Sequence, residues 1–429
     1  MRFTAGRFRR LLITGTMLGV LGCAGGDGER DPGSSADPIK FWHAMGGPLG
    51  RSLDGLVDEF NAAGHDLESV SMGKYQALSQ KVMAAVAAGG PPDLAQCYEA
   101  WTANLIENQS LVPFGRFLEG ASPVRDMDDF YEIYLRGAEQ GGEIWSFPFN
   151  KSVRCLYYNK DMFREAGIDP AHGPRTWEEY RDYARRLTVD TDGDGKADRF
   201  GLASQITASM FENLLVQNGG TLLNEDESAV SFDSPEGVEA LEFMADLLVR
   251  DGSALISQGF EYQNEFLAGK VAMIEGSSVS LAFIEGKYGF ELGIAPLPMG
   301  KIDAQLVAGT DVVLFATTPE REATAWEFVK WFTETEQTAR WSAETGYLPV
   351  RKSAMEDPVM VAKLERYPGL REAYAQLERA VPQPQAKGWF AGRNVLEREA
   401  IEPVLRGRME PAEALHAAAR KANAELLAP

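Results

Sequence analysis

Asp190, Asp192 and Asp194 alternate with Thr191, Gly193 and Gly195. Hard carboxylate oxygens at alternate positions, with a glycine for the sharp turn, suit a calcium ion. The run is the front half of a twelve-residue calcium loop. Position twelve is Gly201 rather than the bidentate glutamate such a loop needs, and a solvated acidic turn fits the same residues. The four histidines (His43, His65, His172, His416) show no metal-ligand spacing, and no His-Glu-x-x-His occurs. The chain has neither a Gly-x-Ser-x-Gly elbow nor a Gly-x-x-x-x-Gly-Lys-Ser/Thr loop, so it is not expected to hydrolyse nucleotides itself. Carboxylates abound, and composition alone leaves a two-acid glycoside hydrolase open.

The start of the chain carries a different chemistry. Residues 1–22 hold Arg2, Arg7, Arg9 and Arg10, then an apolar run from Leu11, then Val20-Leu21-Gly22 before Cys23. This is the order of a secretory signal, and its apolar run is far shorter than the ~20 residues of a spanning helix. The cysteine after the small residue resembles a bacterial lipobox. That resemblance implies cleavage before Cys23 and lipid on its thiol and new amino terminus. Ala24, rather than aspartate, leans toward an outer membrane where the source has one. Residues 23–37 are rich in Gly, Ser, Pro and charge and read as a flexible tether. Cys97 and Cys155 remain; outside the cytoplasm a disulfide between them is open.

A chain of 429 residues is too long for one core, so two or more domains are expected. Net charge is −21, and about −25 once the four leader arginines are gone. That excludes nucleic acid as a partner and disfavours anionic lipid surfaces except through the anchor.

Strand-like and helix-like pieces alternate. Ile39–His43 reads as a strand, and Leu49, Leu53, Leu56, Val57 and Phe60 follow at helical spacing. Residues 67–72 form a second strand, Leu78–Val86 a helix stopped by Gly89-Gly90-Pro91-Pro92, and residues 93–96 a third strand. Such alternation predicts parallel βαβ units. Later strands are expected at 153–158, 271–274 and 290–296. Helices are expected after Thr176 and Ser234, over 322–333, and through the tail to Leu427.

Five segments then carry a family resemblance. They are Phe41-Trp42-His43-Ala44-Met45; Pro91-Pro92-Asp93-Leu94 with Gln96-Cys97-Tyr98-Glu99; Phe147-Pro148-Phe149-Asn150-Lys151-Ser152 with Leu156-Tyr157-Tyr158-Asn159; Phe266–Met273; and Glu344–Pro349. Their order and spacing resemble the family 1 extracytoplasmic solute-binding proteins of ABC importers, in the branch for sugars and glycerol phosphates. The resemblance runs from Ile39 to Leu427. It implies an α/β fold of two discontinuous lobes, a hinge and an interlobe ligand cleft. By similarity one lobe takes 38–149 and 267–316, the other 150–266 and 317–429.

The resemblance also implies a binding role for Tyr75, Glu99, Ser152, Ser277, Gly309 and Tyr347, each matching the branch in type. Trp42 and Phe390 are added as aromatic cleft candidates. Two positions depart: Phe390 stands where the branch has an arginine, and Ile206 where it has a tryptophan. Arginine is the usual bidentate phosphate clamp. Its loss favours an uncharged polyol, sugar or glycerol-containing diester over glycerol-3-phosphate, with Arg393 the candidate substitute. The expected protein is a monomeric, lipid-anchored receptor without catalysis. It hands its solute to two permease subunits served by a separate ATPase. The other readings are a secreted carbohydrate-active enzyme, which turnover would reveal, and a solute sensor feeding a signalling receptor.

Overall fold

The computed structural model describes residues 37–120 and 123–427. The signal expected over 1–22, Cys23 and nearly all of the tether lie outside the described residues. Two five-stranded sheets organise the body. The strands that form them are β1 (Ile39–His43), β2 (Leu67–Ser71), β3 (Leu94–Cys97), β4 (Ser146–Ser152), β5 (Arg154–Asn159), β6 (Phe200–Gln205), β7 (Ala254–Ser257), β8 (Val271–Ser277), β9 (Leu292–Pro296) and β10 (Ala308–Leu314). The first sheet runs β2-β1-β3-β10-β4 and the second β9-β5-β8-β6-β7. β1, β2 and β3 are mutually parallel, as their βαβ spacing predicts. β10 is antiparallel to both β3 and β4. β4 is buried along its whole length yet contains Pro148, which has no N–H to donate. Its place at the sheet edge and a register shift opposite, at Thr310/Asp311, accommodate that proline.

The helices follow their apolar spacing. α1 (Gly47–Ala62) buries Leu49, Leu53, Leu56, Val57 and Phe60. α2 (Tyr75–Ala87) and α3 (Glu99–Glu107) precede and follow β3. α4 (Trp177–Arg186) starts at Thr176, whose hydroxyl accepts the Glu179 N–H, while the Glu179 carboxylate accepts from Arg175 N. α5 (Ala208–Gln217) is buried along most of its length. α6 (Pro319–Phe332), α7 (Thr335–Thr345), α8 (Trp389–Leu396) and α9 (Pro411–Leu426) lie further along the chain.

The lobe boundaries expected from the resemblance need correcting in two places. β8 and β9 were expected in the first lobe, within 267–316, but both pair antiparallel with β5 in the second sheet. Of that stretch, β10 is the strand that joins the first sheet. Conversely α6 and α7, expected in the second lobe, pack on the first sheet. Phe328 of α6 meets Phe41 and Phe60 with ring centroids 5.7 and 5.2 Å apart, and Trp341 of α7 lies 5.6 Å from Phe149. Each such aromatic pair adds about 0.5–1.5 kcal/mol beyond the area it buries. α8 and α9 pack with α5 on the second lobe. No helix of the described residues is long and apolar enough to cross a membrane.

Candidate ligand-binding cleft

β4 ends at Ser152 and β5 begins at Arg154, so Val153 alone separates strands of different sheets. A cavity of about 150 Å³ opens beside this crossing. The first lobe supplies Tyr98, Glu99 and Ala100 from the start of α3, Ser152 from β4, and Ala308 and Gly309 from β10. The second supplies Arg154, Ser277 at the end of β8, and Ser209, Glu212 and Asn213 from α5. Trp389, Phe390 and Arg393 of α8 close the wall. A groove of about 590 Å³ lies elsewhere, along β9, and takes no residue from the first sheet.

Charge in the cleft is tightly organised. Lys151 is completely buried, with its Nζ 3.0 Å from Glu99 Oε1 and 2.7 Å from Asp311 Oδ1. Burial works against its charge, but Asp311 and Glu99 outweigh burial and hold the ammonium's pKa above its ordinary value. Burial pushes the Glu99 carboxyl up, and Lys151 partly restores it. Arg393 forms a bidentate pair with Glu212, Nη2 to Oε2 at 2.8 Å, and a further bond to Ser209 Oγ at 2.8 Å. Burial opposes the Arg393 charge and Glu212 more than compensates. Arg393 therefore already has a carboxylate partner, which weakens its standing as a substitute phosphate clamp.

Of the residues singled out by sequence, the structure brings six to the cavity wall: Glu99, Ser152, Ser277, Gly309, Phe390 and Arg393. Gly309 has φ +110°, and a Cβ there would sit 2.0 Å from the Asn150 carbonyl oxygen. The backbone thus meets β4 at a distance that only glycine permits. Phe390 packs on Tyr98 and Trp101, with centroids 5.9 and 5.3 Å away, so its ring joins the two lobes.

Three others stand off the wall. Tyr75 lies behind it, its hydroxyl 3.4 Å from both Gln96 Nε2 and Asn150 Nδ2, and burial raises its pKa. Tyr347 is buried against Trp341, and Trp42 is half-buried against the apolar cluster that includes Leu78 and Cys97. Ile206 packs with the apolar cluster around α5. Sequence reasoning missed Arg154, Glu212 and Ser209. Arg154 follows Ser152 by two positions, the repeat at which an extended chain returns a side chain to the same side. Ser209 and Glu212 are three apart, one face of a helix.

Asp190, Asp192 and Asp194 are exposed, with carboxylate oxygens within 4.8 Å of one another. Asp190 accepts from the N–H groups of Gly193 and Gly195, which holds its carboxyl below the usual range. The turn is thus braced by its own backbone. Cys97 and Cys155 are free thiols, each fully buried, in different sheets.

Known proteins resemble this chain over most of its length. The family model for bacterial extracellular solute-binding proteins matches residues 46–339. The chain belongs to that family. The sn-glycerol-3-phosphate-binding periplasmic protein UgpB of Escherichia coli K12 is 28% identical over 400 residues, covering 90% of this chain and 91% of that protein. The crystal structure of UgpB from Mycobacterium tuberculosis in complex with glycerophosphocholine superposes with a TM-score of 0.81 at 25% identity, over 91% of this chain and 99% of that one. The cyclic alpha-maltosyl-1,6-maltose binding protein of Arthrobacter globiformis gives 0.76 at 26%, again over 91% and 99%. This solute-binding protein is therefore an extracytoplasmic member of the sugar and glycerol-phosphate branch serving ABC importers. It binds rather than catalyses, and the carbohydrate-active enzyme reading falls away.

Proposed function

We propose that the protein captures a sugar, polyol or glycerol-containing diester in the interlobe cavity and releases it to the permease of an ABC importer. The observation that carries this reading is the meeting of Glu99 and Ser152 from one lobe with Ser277 and Phe390 from the other around one cavity. Glu99 offers acceptor oxygens for ligand hydroxyls, the serines donate, and the Tyr98 and Phe390 rings offer apolar faces. Tyr75 and Tyr347 act from behind, through Asn150 and the packing of β4. Glycerol-3-phosphate is the disfavoured member, because Phe390 stands in the arginine position and Arg393 is paired with Glu212. In this reading the protein is a monomer held by lipid on Cys23, with two permease subunits and a separate ATPase as partners.

A thermal-shift screen against sugars, polyols, glycerol-3-phosphate and glycerophosphodiesters tests it, because a ligand bound to the native state alone raises Tm by mass action. The expected result is a shift with a neutral solute or diester and none with glycerol-3-phosphate, abolished in Glu99→Ala. A clear shift with glycerol-3-phosphate overturns the ligand assignment.

A further inference from the structure

Three cationic side chains stand in or beside the cavity, and two are already held by close carboxylates. Lys151 lies between two carboxylates, and Arg393 is in a bidentate pair. Arg154 is different. Its Nη2 is 3.5 Å from Glu275 Oε2, at the outer limit of a hydrogen bond, and among the described residues that is the one hydrogen bond its side chain makes. Its Nε is buried without a partner. A buried donor left unmade is costly, so a guanidinium with spare donors on a cavity wall is suited to an incoming acceptor. Arg154 pairs across the sheet with Ser277. The Ser277 Oγ accepts the Val279 N–H, which leaves its own O–H to donate beside the guanidinium.

We propose that Arg154 is the residue of this cleft that reads an oxyanion, and that the captured solute carries one negative charge, as a carboxylate or a phosphodiester. The inference rests on the cleft being the solute site proposed above. A guanidinium presents paired donors that match either group. One charge fits better than two. Glu99, Asp311, Glu212 and Glu275 already outnumber Lys151, Arg154 and Arg393, so a dianion enters against an acidic excess. Glu275 is the weak partner in the set: burial pushes its carboxyl up, and Arg154 and Tyr180 only partly restore it.

Isothermal titration of the purified protein with four probes tests the assignment: a neutral polyol, a sugar acid, glycerophosphoglycerol and glycerol-3-phosphate. Arg154→Gln is expected to weaken the bound monoanion at least thirtyfold and the neutral polyol less than threefold. Glu275→Gln, which frees the guanidinium, is expected to tighten the monoanion about threefold or more. Which monoanion binds separates the carboxylate source from the diester. Equal losses for neutral and charged probes, or none for the monoanion, overturn the role of Arg154. Where Arg154→Gln fails to fold, unchanged or weaker monoanion binding by Glu275→Gln overturns it instead. Binding of the neutral probe with no binding of either monoanion sinks this inference alone. Binding of no probe at all sinks the solute reading with it.

Discussion

Lys151 is where sequence and energetics meet most sharply. A buried lysine is tolerable only with partners, and Glu99 and Asp311 supply them. Lys151→Met leaves two uncompensated carboxylates and is expected to cost about 3–5 kcal/mol in urea unfolding. Adding Glu99→Gln to that variant should recover part of the loss, since one stranded charge is then gone. His43 makes a second prediction. It is buried, bonds to Ser69 Oγ and the Met45 N–H, and burial lowers its pKa from 6.5 to about 4. Between those values the unfolded chain binds the extra proton. The contribution of His43 is therefore full above about pH 6.5 and is lost progressively as pH falls toward 4, by up to about 3 kcal/mol. The difference in stability between the parent and His43→Asn, measured from pH 7 to pH 4, should shrink by that amount. Of the residues on the cavity wall, Glu99 and Gly309 were singled out through the family resemblance. Arg154 and Glu212 were not, because a charged residue near a strand or on a helix reads equally well as solvated surface.

The elements divide in the same way. β1, α1, β2, α2 and β3 were readable nearly to the residue, since each apolar period is bounded by Gly, Pro or a polar cap. The sheet to which β8 and β9 belong was not readable. Short buried strands look alike whichever neighbour they take, and the pairing is decided by contacts with β5 more than a hundred residues earlier in sequence. Local signals that were legible have local costs. The Thr176 hydroxyl caps α4, and Thr176→Ala is expected to lower stability by about 1 kcal/mol without altering solute affinity, read from paired denaturation and titration. Gly309→Ala should be much worse. Its Cβ meets backbone rather than a mobile side chain, so β10 must part from β4, with an expected loss of at least about 2 kcal/mol.

At the scale of the molecule, the two thiols report on global unfolding. Cys97 and Cys155 are fully buried, and burial pushes the Cys155 thiol up to about 12. Neither should react with a thiol reagent in the native protein, and both should react at the rate of unfolding, with no change on prior reduction. The two-lobed plan itself was legible only through the resemblance, because alternating elements say that sheets exist but not how many. The single residue between β4 and β5 has a mechanical consequence. A swing of the lobes about that crossing as pivot would displace Ser152 and Arg154, which flank it, less than Glu212 and Phe390, which ride on the arm formed by α5 and α8. Groups near the pivot can hold a solute before the jaws shut, and groups on the arm register that they have shut. Substitutions at the pivot should accordingly change how readily the solute is first caught, and substitutions on the arm how long it is kept.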